Sequence, residues 1–150
     1  MTKAAQIAAT LCTRLEAITQ ATGYATDAGL KVFRGKRHID PADLPCLILV
    51  ENDDQAQTQN TTPSAVQAKV RANYTVEAHS ACDPNHPNDI AHDLIGDIKR
   101  ALFAADLLLG NKLTALTYTG RTITPREAGL ALVVASVSFS ADYVEDLRNP

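Results

Sequence analysis

From Val66 to His79 the chain alternates without a break. Val66, Ala68, Val70, Ala72, Tyr74, Val76 and Ala78 interleave with Gln67, Lys69, Arg71, Asn73, Thr75, Glu77 and His79. Successive side chains of a strand point to opposite faces, so fourteen residues of period two predict one strand with a dry face and a wet one. At about 3.3 Å per residue such a strand spans about 45 Å. A chain of 150 residues folds into a body roughly 40 Å across. A second stretch of this kind, Leu130 to Tyr143, places Ala131, Val133, Ala135, Val137, Phe139, Ala141 and Tyr143 on one face. Its other face begins Leu130, Leu132, Val134 and turns polar at Ser136, Ser138, Ser140 and Asp142. Both stretches exceed twice the usual strand of about 5–6 residues. They either coil and bulge strongly, or project as a ribbon whose apolar face and open edge need a partner. The second reading, an obligate oligomer, is the sharper one. It nominates Val66, Val70, Tyr74, Val137, Phe139 and Tyr143 as subunit or partner contacts.

The remaining elements follow from local pattern. Ile7, Leu11, Leu15 and Ile18 recur at helical spacing and predict a helix over about residues 3–21, ended by Thr22-Gly23. Residues 23–29 read as a turn, Leu30–Arg34 as a short strand, and 36–45 as a loop. Cys46-Leu47-Ile48-Leu49-Val50 is a continuous apolar run, expected to be a strand buried on both faces. From Asn52 to Ser64 the chain holds Asn, Asp, Gln and Thr with no hydrophobic period, and reads as a polar, mobile loop of the kind that carries function. Its Asp53 and Asp54 join the candidate interface, although solvated carboxylates of a polar loop are much the plainer reading of them. Asn88 is a plausible N-cap of a second helix over about 88–105, with Ile90, Leu94, Ile98 and Leu102 as its stripe. Asp89 and Asp93 lie at its start and Lys99 and Arg100 near its end, as the helix dipole favours. A strand over Leu113–Thr119 and a turn at Gly120 precede the long final strand, and residues 145–150 read as a frayed tail. The order is α-β-β-β-α-β-β in a single domain, 1–150. The expected fold is an α+β two-layer sandwich, with about five mostly antiparallel strands and two helices on one face.

Composition narrows the function classes. Fourteen Lys and Arg against seventeen Asp and Glu give a net charge of −3, which argues against a general nucleic-acid coat. No run approaches the ~18 apolar residues of a membrane span. The three cysteines, Cys12, Cys46 and Cys82, are odd in number and lack a metal or redox spacing, as suits a reducing compartment. Lys3 and the Ala-rich run after it faintly imitate a signal peptide. Gln6 and Thr10 interrupt that run, and synthesis in the cytoplasm without export is expected.

No catalytic constellation is apparent, and neither a cofactor nor a metal is expected. Gly23-Tyr-Ala-Thr-Asp-Ala-Gly29 lacks the spacing and the Lys-Ser/Thr pair of a phosphate loop. His79, Cys82, His86 and His92 are metal-ligating types, but their spacings of three, four and six match no standard zinc site. Lys31, Arg34, Lys36 and Arg37, next to His38, form the one local concentration of cations, a candidate charged contact patch. Phe33 is the single aromatic beside it, so base stacking is poorly supported and DNA contact is at most incidental. A solvated face paired with acidic groups of the same or a neighbouring subunit is the plainer reading.

Four stretches together resemble the tail terminator, or tail-completion, proteins of long-tailed bacteriophages. They are the first helix running into Gly23–Gly35, the segment Asp43-Leu-Pro-Cys-Leu-Ile-Leu-Val50, the helix Ile90–Phe103, and Leu116–Leu130 with the closing strand to Tyr143-Val-Glu. The resemblance covers most of the chain in the family's order, and it is one of pattern without a fixed motif. It implies a structural virion protein located in the tail at its head-proximal end. That protein forms a homohexameric ring on the tail tube, ends tube polymerisation and offers the head–tail joining interface. The implied partners are further copies of itself, the tail tube protein and a head–tail connector or neck protein, with no membrane. The family brings no catalytic residue or cofactor to carry over, and the segment 52–64 matches no signature of it. Two alternatives stand beside it: a neck or head-completion connector of the same virion, and a small metal- or ligand-binding domain using the His/Cys loop.

Overall fold

The computed structural model describes residues 1–35, 38–124 and 129–150. Thr2 caps the first helix, its hydroxyl accepting from the Ala5 amide, and α1 runs Lys3–Glu16. A short strand β1 (Val32–Arg34) follows, then β2 (Cys46–Thr61) and β3 (Val66–Ala81). Helix α2 (Pro87–Phe103) begins with proline at its first position, where the missing N–H costs nothing. β4 (Ala115–Thr124) and β5 (Leu132–Asp146) complete one sheet in the order β1-β2-β3-β5-β4. β1 is parallel to β2, and the other neighbours are antiparallel. The fold is the expected α+β sandwich, with its elements in the expected order.

The core lies between one face of this sheet and the two helices. Ile7, Leu11 and Leu15 of α1 and Leu94, Ile98 and Leu102 of α2 meet Leu47, Leu49 and the alternate residues of β3 and β5. Val70, Tyr74, Val137, Phe139 and Tyr143 are all buried there. The chain's own helices cover the apolar ribbon, so the burial of Val70, Val137 and Phe139 needs no partner, whereas Tyr74 and Tyr143 also line a cleft at the sheet border. Val66, near the hairpin turn, is half-buried.

Two further expectations change. The segment 52–64 is not a loop: β2 continues to Thr61 and pairs with β3 as far as Val66. Its polarity has a different cause. The outer half of β2 is exposed on both faces, so neither face imposes a hydrophobic period. The tail is not frayed at its start either. Glu145 and Asp146 pair with Ala68 and Gln67, and the Leu147 amide donates to the Val66 carbonyl at 2.8 Å.

α1 also ends earlier than its pattern suggests. The Ile18 amide tightens back onto the Leu15 carbonyl, and the Ile18 carbonyl accepts from the Gly29 amide at 2.8 Å. The returning chain crosses the helix end at Gly29, where an added Cβ would lie 2.5–2.7 Å from backbone atoms of Leu15 and Ile18. The same segment is fastened to α2 by buried Asp97. Its carboxylate accepts from the Ala25 amide (3.0 Å), the Thr26 amide (2.8 Å) and the Thr26 hydroxyl (2.8 Å). Arg100 adds a hydrogen bond to the Gly23 carbonyl and stacks over the Tyr24 ring at 4.4 Å.

Gly29→Ala is therefore expected to cost about 1–3 kcal/mol through overpacking against immobile backbone, read as a lower urea midpoint at unchanged slope. Asp97→Asn keeps the shape but turns an amide N–H₂ toward donors. A loss of about 1–3 kcal/mol is expected, and a midpoint equal to the parent's would remove the clamp from this account.

Candidate functional site

The exposed half of β2 forms one border of the sheet. β1 pairs only with Leu47, Ile48 and Leu49, so from Val50 to Thr61 the outer edge of β2 has no neighbouring strand among the described residues. The other border is β4, whose outer edge likewise has no neighbouring strand among the described residues. β2 bears Glu51, Asp53 and Asp54 and no Lys or Arg between 50 and 61. β4 bears Arg121 and no Asp or Glu. Lys99 of α2 sits over the Tyr118 ring of β4 at 4.5 Å. The two borders therefore differ in charge.

The inner end of the β2 border is shaped by a bulge. Glu51 pairs with Tyr74 and Asp54 with Ala72, so Asn52 and Asp53 together face Asn73. Bulges of this kind re-aim side chains, and here both Glu51 and Asp54 turn to the side that carries the helices. Between them and Ala4 of α1 lies an open cleft of about 420 Å³, with Tyr74 and Tyr143 among its lining. Tyr74 is stacked on Phe139 with ring centroids 5.3 Å apart. Burial pushes its phenol far above the ordinary value, and the Tyr143 hydroxyl and the Glu51 carboxylate add to this. Tyr143 is pushed up to about 12, by burial first and then by Glu145 and Asp54. Both phenols are thus neutral donors at any physiological pH.

The predicted charged patch is spent within the chain where it is described. Arg34 makes a two-point contact with Glu51, Nε to Oε2 and Nη2 to Oε1, each 3.0 Å. Lys31 Nζ lies 3.3 Å from Asp43 Oδ1 and donates to the Ala42 carbonyl at 2.8 Å. Lys36 and Arg37 lie outside the described residues. Of the predicted interface set, the structure brings Asp53, Asp54, Tyr74 and Tyr143 to one cleft. Val70, Val137 and Phe139 stay in the core. Asp53 accepts from Asn73 Nδ2 at 3.3 Å. Glu51 and Arg121 were missed, and the signal for the β2 border was present. Residues 50–61 hold neither Gly nor Pro, and the turn chemistry begins only at Thr62-Pro63-Ser64. Among the described residues no three His, Cys, Asp or Glu side chains are grouped to hold a metal ion. His79 instead stands 3.4 Å from Glu77. No helix of the described residues is long and apolar enough to cross a membrane.

The open face of the sheet, opposite the helices, holds one strong pair. Arg71 and Asp142 are directly opposed in register. Arg71 Nε donates to Asp142 Oδ1 at 2.8 Å and Nη2 to Oδ2 at 3.0 Å. The carboxylate is buried, and the Arg71 guanidinium holds its pKa below the usual value although burial opposes this.

The chain is similar to a chain in a solved structure described as the virion of a native gene transfer agent particle. The two are 13% identical, the likeness covers 78% of this chain and 81% of the other, and the TM-score is 0.49. A likeness of that degree carries no argument about what either chain does. No family model matches the chain, and no curated protein is similar to it in sequence.

A carboxylate with a lowered folded-state pKa stabilises the fold above its unfolded pKa, and that stability is lost as pH falls through the folded value. The parent should therefore exceed Asp142→Asn in urea midpoint near neutral pH. The two should converge once the pH drops below about 4. A gap that persists unchanged to about pH 2 would assign the difference to something other than this ionised pair.

Proposed function

We propose that this chain is a structural virion protein. In this reading copies of it form a ring, of six as the resemblance to tail terminators implies, that caps the head-proximal end of a phage tail tube. The ring ends tube polymerisation and presents the surface to which the head–tail connector joins. The observation that carries the reading is the pair of open borders of unlike charge on one sheet: β2 beyond Val50, exposed on both faces, and β4 on the far side. Exposed strand borders are templates for further strands. Two different borders meeting head to tail make a heterologous contact, which closes into a ring or runs on as a filament. The resemblance to tail terminators over most of the sequence supports the ring and its position on the tail. Partners are then further copies of the chain, the tube protein below and the connector above.

Particles assembled without this protein should carry tubes of uncontrolled length in electron micrographs, and adding the purified chain should restore a single length. Tubes of normal length that fail to join heads would instead assign the chain to the connector side of the neck.

A further inference from the structure

The cleft beside the β2 bulge contains groups that its own chain leaves unanswered. Tyr74 and Tyr143 are 3% and 1% exposed, yet among the described residues neither hydroxyl makes a hydrogen bond. Buried polar groups of proteins are nearly always paired. Arg34 answers Glu51, whereas no ion pair reaches Asp54 among the described residues. On the opposite border Arg121 is exposed and, among the described residues, makes neither a hydrogen bond nor an ion pair.

We propose that a second copy of this chain lays its β4 antiparallel along residues 50–61 of β2 and seats its Arg121 in this cleft, against Asp54 and over the hydroxyls of Tyr74 and Tyr143. This deepens the ring reading above and rests on it. Three features fix the arrangement. A head-to-tail repeat that continues the sheet keeps strand directions. β2 runs with β5, and β4 runs against β5, so a neighbouring β4 meets β2 antiparallel. Side chains level with one another in a sheet share a face. Arg121 pairs with Val137 and Asp54 with Ala72, both on the helix side, so the two charges fall on the same side of the continued sheet.

The third feature is β1, which sets the offset. Within one subunit the register levels Arg121 with Leu49 and Thr124 with Cys46. β1 already occupies the border at Leu47–Leu49. A second β4 clears it only when the partner subunit's Thr124 lies at or beyond Val50. That slide of about four to five residues, roughly 15 Å at 3.3 Å per residue, carries the partner subunit's Arg121 from the level of Leu49 to the bulge of Asp53 and Asp54. The ten residues of β4 then lie wholly against the open stretch of β2. A guanidinium in the cleft meets an unpaired carboxylate. The neutral phenols lie beneath it and hold it by ring contact and through their oxygens.

The full chain carrying Asp54→Cys and Arg121→Cys together should, on mild oxidation, run as a ladder of covalent multimers beyond the dimer. The two variants with only one of these substitutions, which control for the native Cys12, Cys46 and Cys82, should not. Sedimentation should show Arg121→Glu, a change on an exposed side chain, raising the assembly midpoint by about tenfold or more. Adding Asp54→Arg should recover most of that loss. A strict monomer at working concentration overturns the proposal, and so does an assembly that gives no ladder and no charge-swap recovery. The tube assay separates the two readings. A chain that ladders but leaves tube length uncontrolled removes the capping role and keeps this contact. A chain that caps tubes without laddering keeps the role and removes the contact.

Discussion

The antiparallel ladder between β3 and β5 fixes everything else in this fold. It joins the two long strands over fifteen consecutive residue pairs, from Gln67 with Asp146 to Ala81 with Leu132, without a register shift. Because side chains alternate, this single register sends Val70, Tyr74, Val137, Phe139 and Tyr143 to the helices. It sends Arg71, Thr75, Ser138 and Asp142 to the open face. A slip of one residue would reverse both sets and would also separate Arg71 from Asp142. Core burial and a directional ion pair thus select the same register. The helices are positioned by what this ladder exposes on one side, and the Gly29 crossing and the Asp97 clamp hold them to each other there.

Coverage of the sheet is uneven. α1 and α2 lie over β3, β5 and, of β2, Leu47 and Leu49. β2 nevertheless runs on beside β3 for its full length, because β3 itself extends that far and offers a row of backbone partners. The outer half of β2 therefore gains sheet hydrogen bonds without burial. Its residues are polar on both faces, and two register shifts take up Asn52–Asp53 and the residue at 57. The border so formed carries no proline and no lysine, two of the devices by which proteins protect such edges from pairing.

How much of this could be read from the sequence depended on whether burial had left a mark. β3 and β5 announced themselves because each has one dry face, and α1 and α2 because each has an apolar stripe. Only their ends moved, as where α1 stops so that Ile18 can meet Gly29. The outer half of β2 left no such mark. A strand wet on both faces has no period, and Asn, Asp, Gln and Thr read as loop. The long apolar faces mislead in the opposite way: length alone suggests a ribbon in need of a partner, whereas two helices suffice to cover it. Asp53 and Asp54 were noticed as a charged pair. The bulge that turns Asp54 toward the buried phenols belongs to the pairing with Asn73 and is invisible in one dimension.

The placement of charge bears on which kind of self-association this sheet favours. A twofold contact between two β2 borders would place like acidic segments on one seam and leave both β4 borders open. A contact between β2 and β4 joins the border that holds Glu51, Asp53 and Asp54 to the one that holds Arg121, and like charges across a contact cost where unlike charges orient it. It also consumes both open borders of every subunit when the series closes, and closure alone removes strand edges altogether. β1, three residues long and set against the foot of β2, would act as a stop in the proposed contact. It would prevent level pairing and set each neighbour upward by at least four residues. Such a stagger is what a sheet needs in order to close around an axis, since strands in closed sheets are tilted and their register advances by a fixed shear.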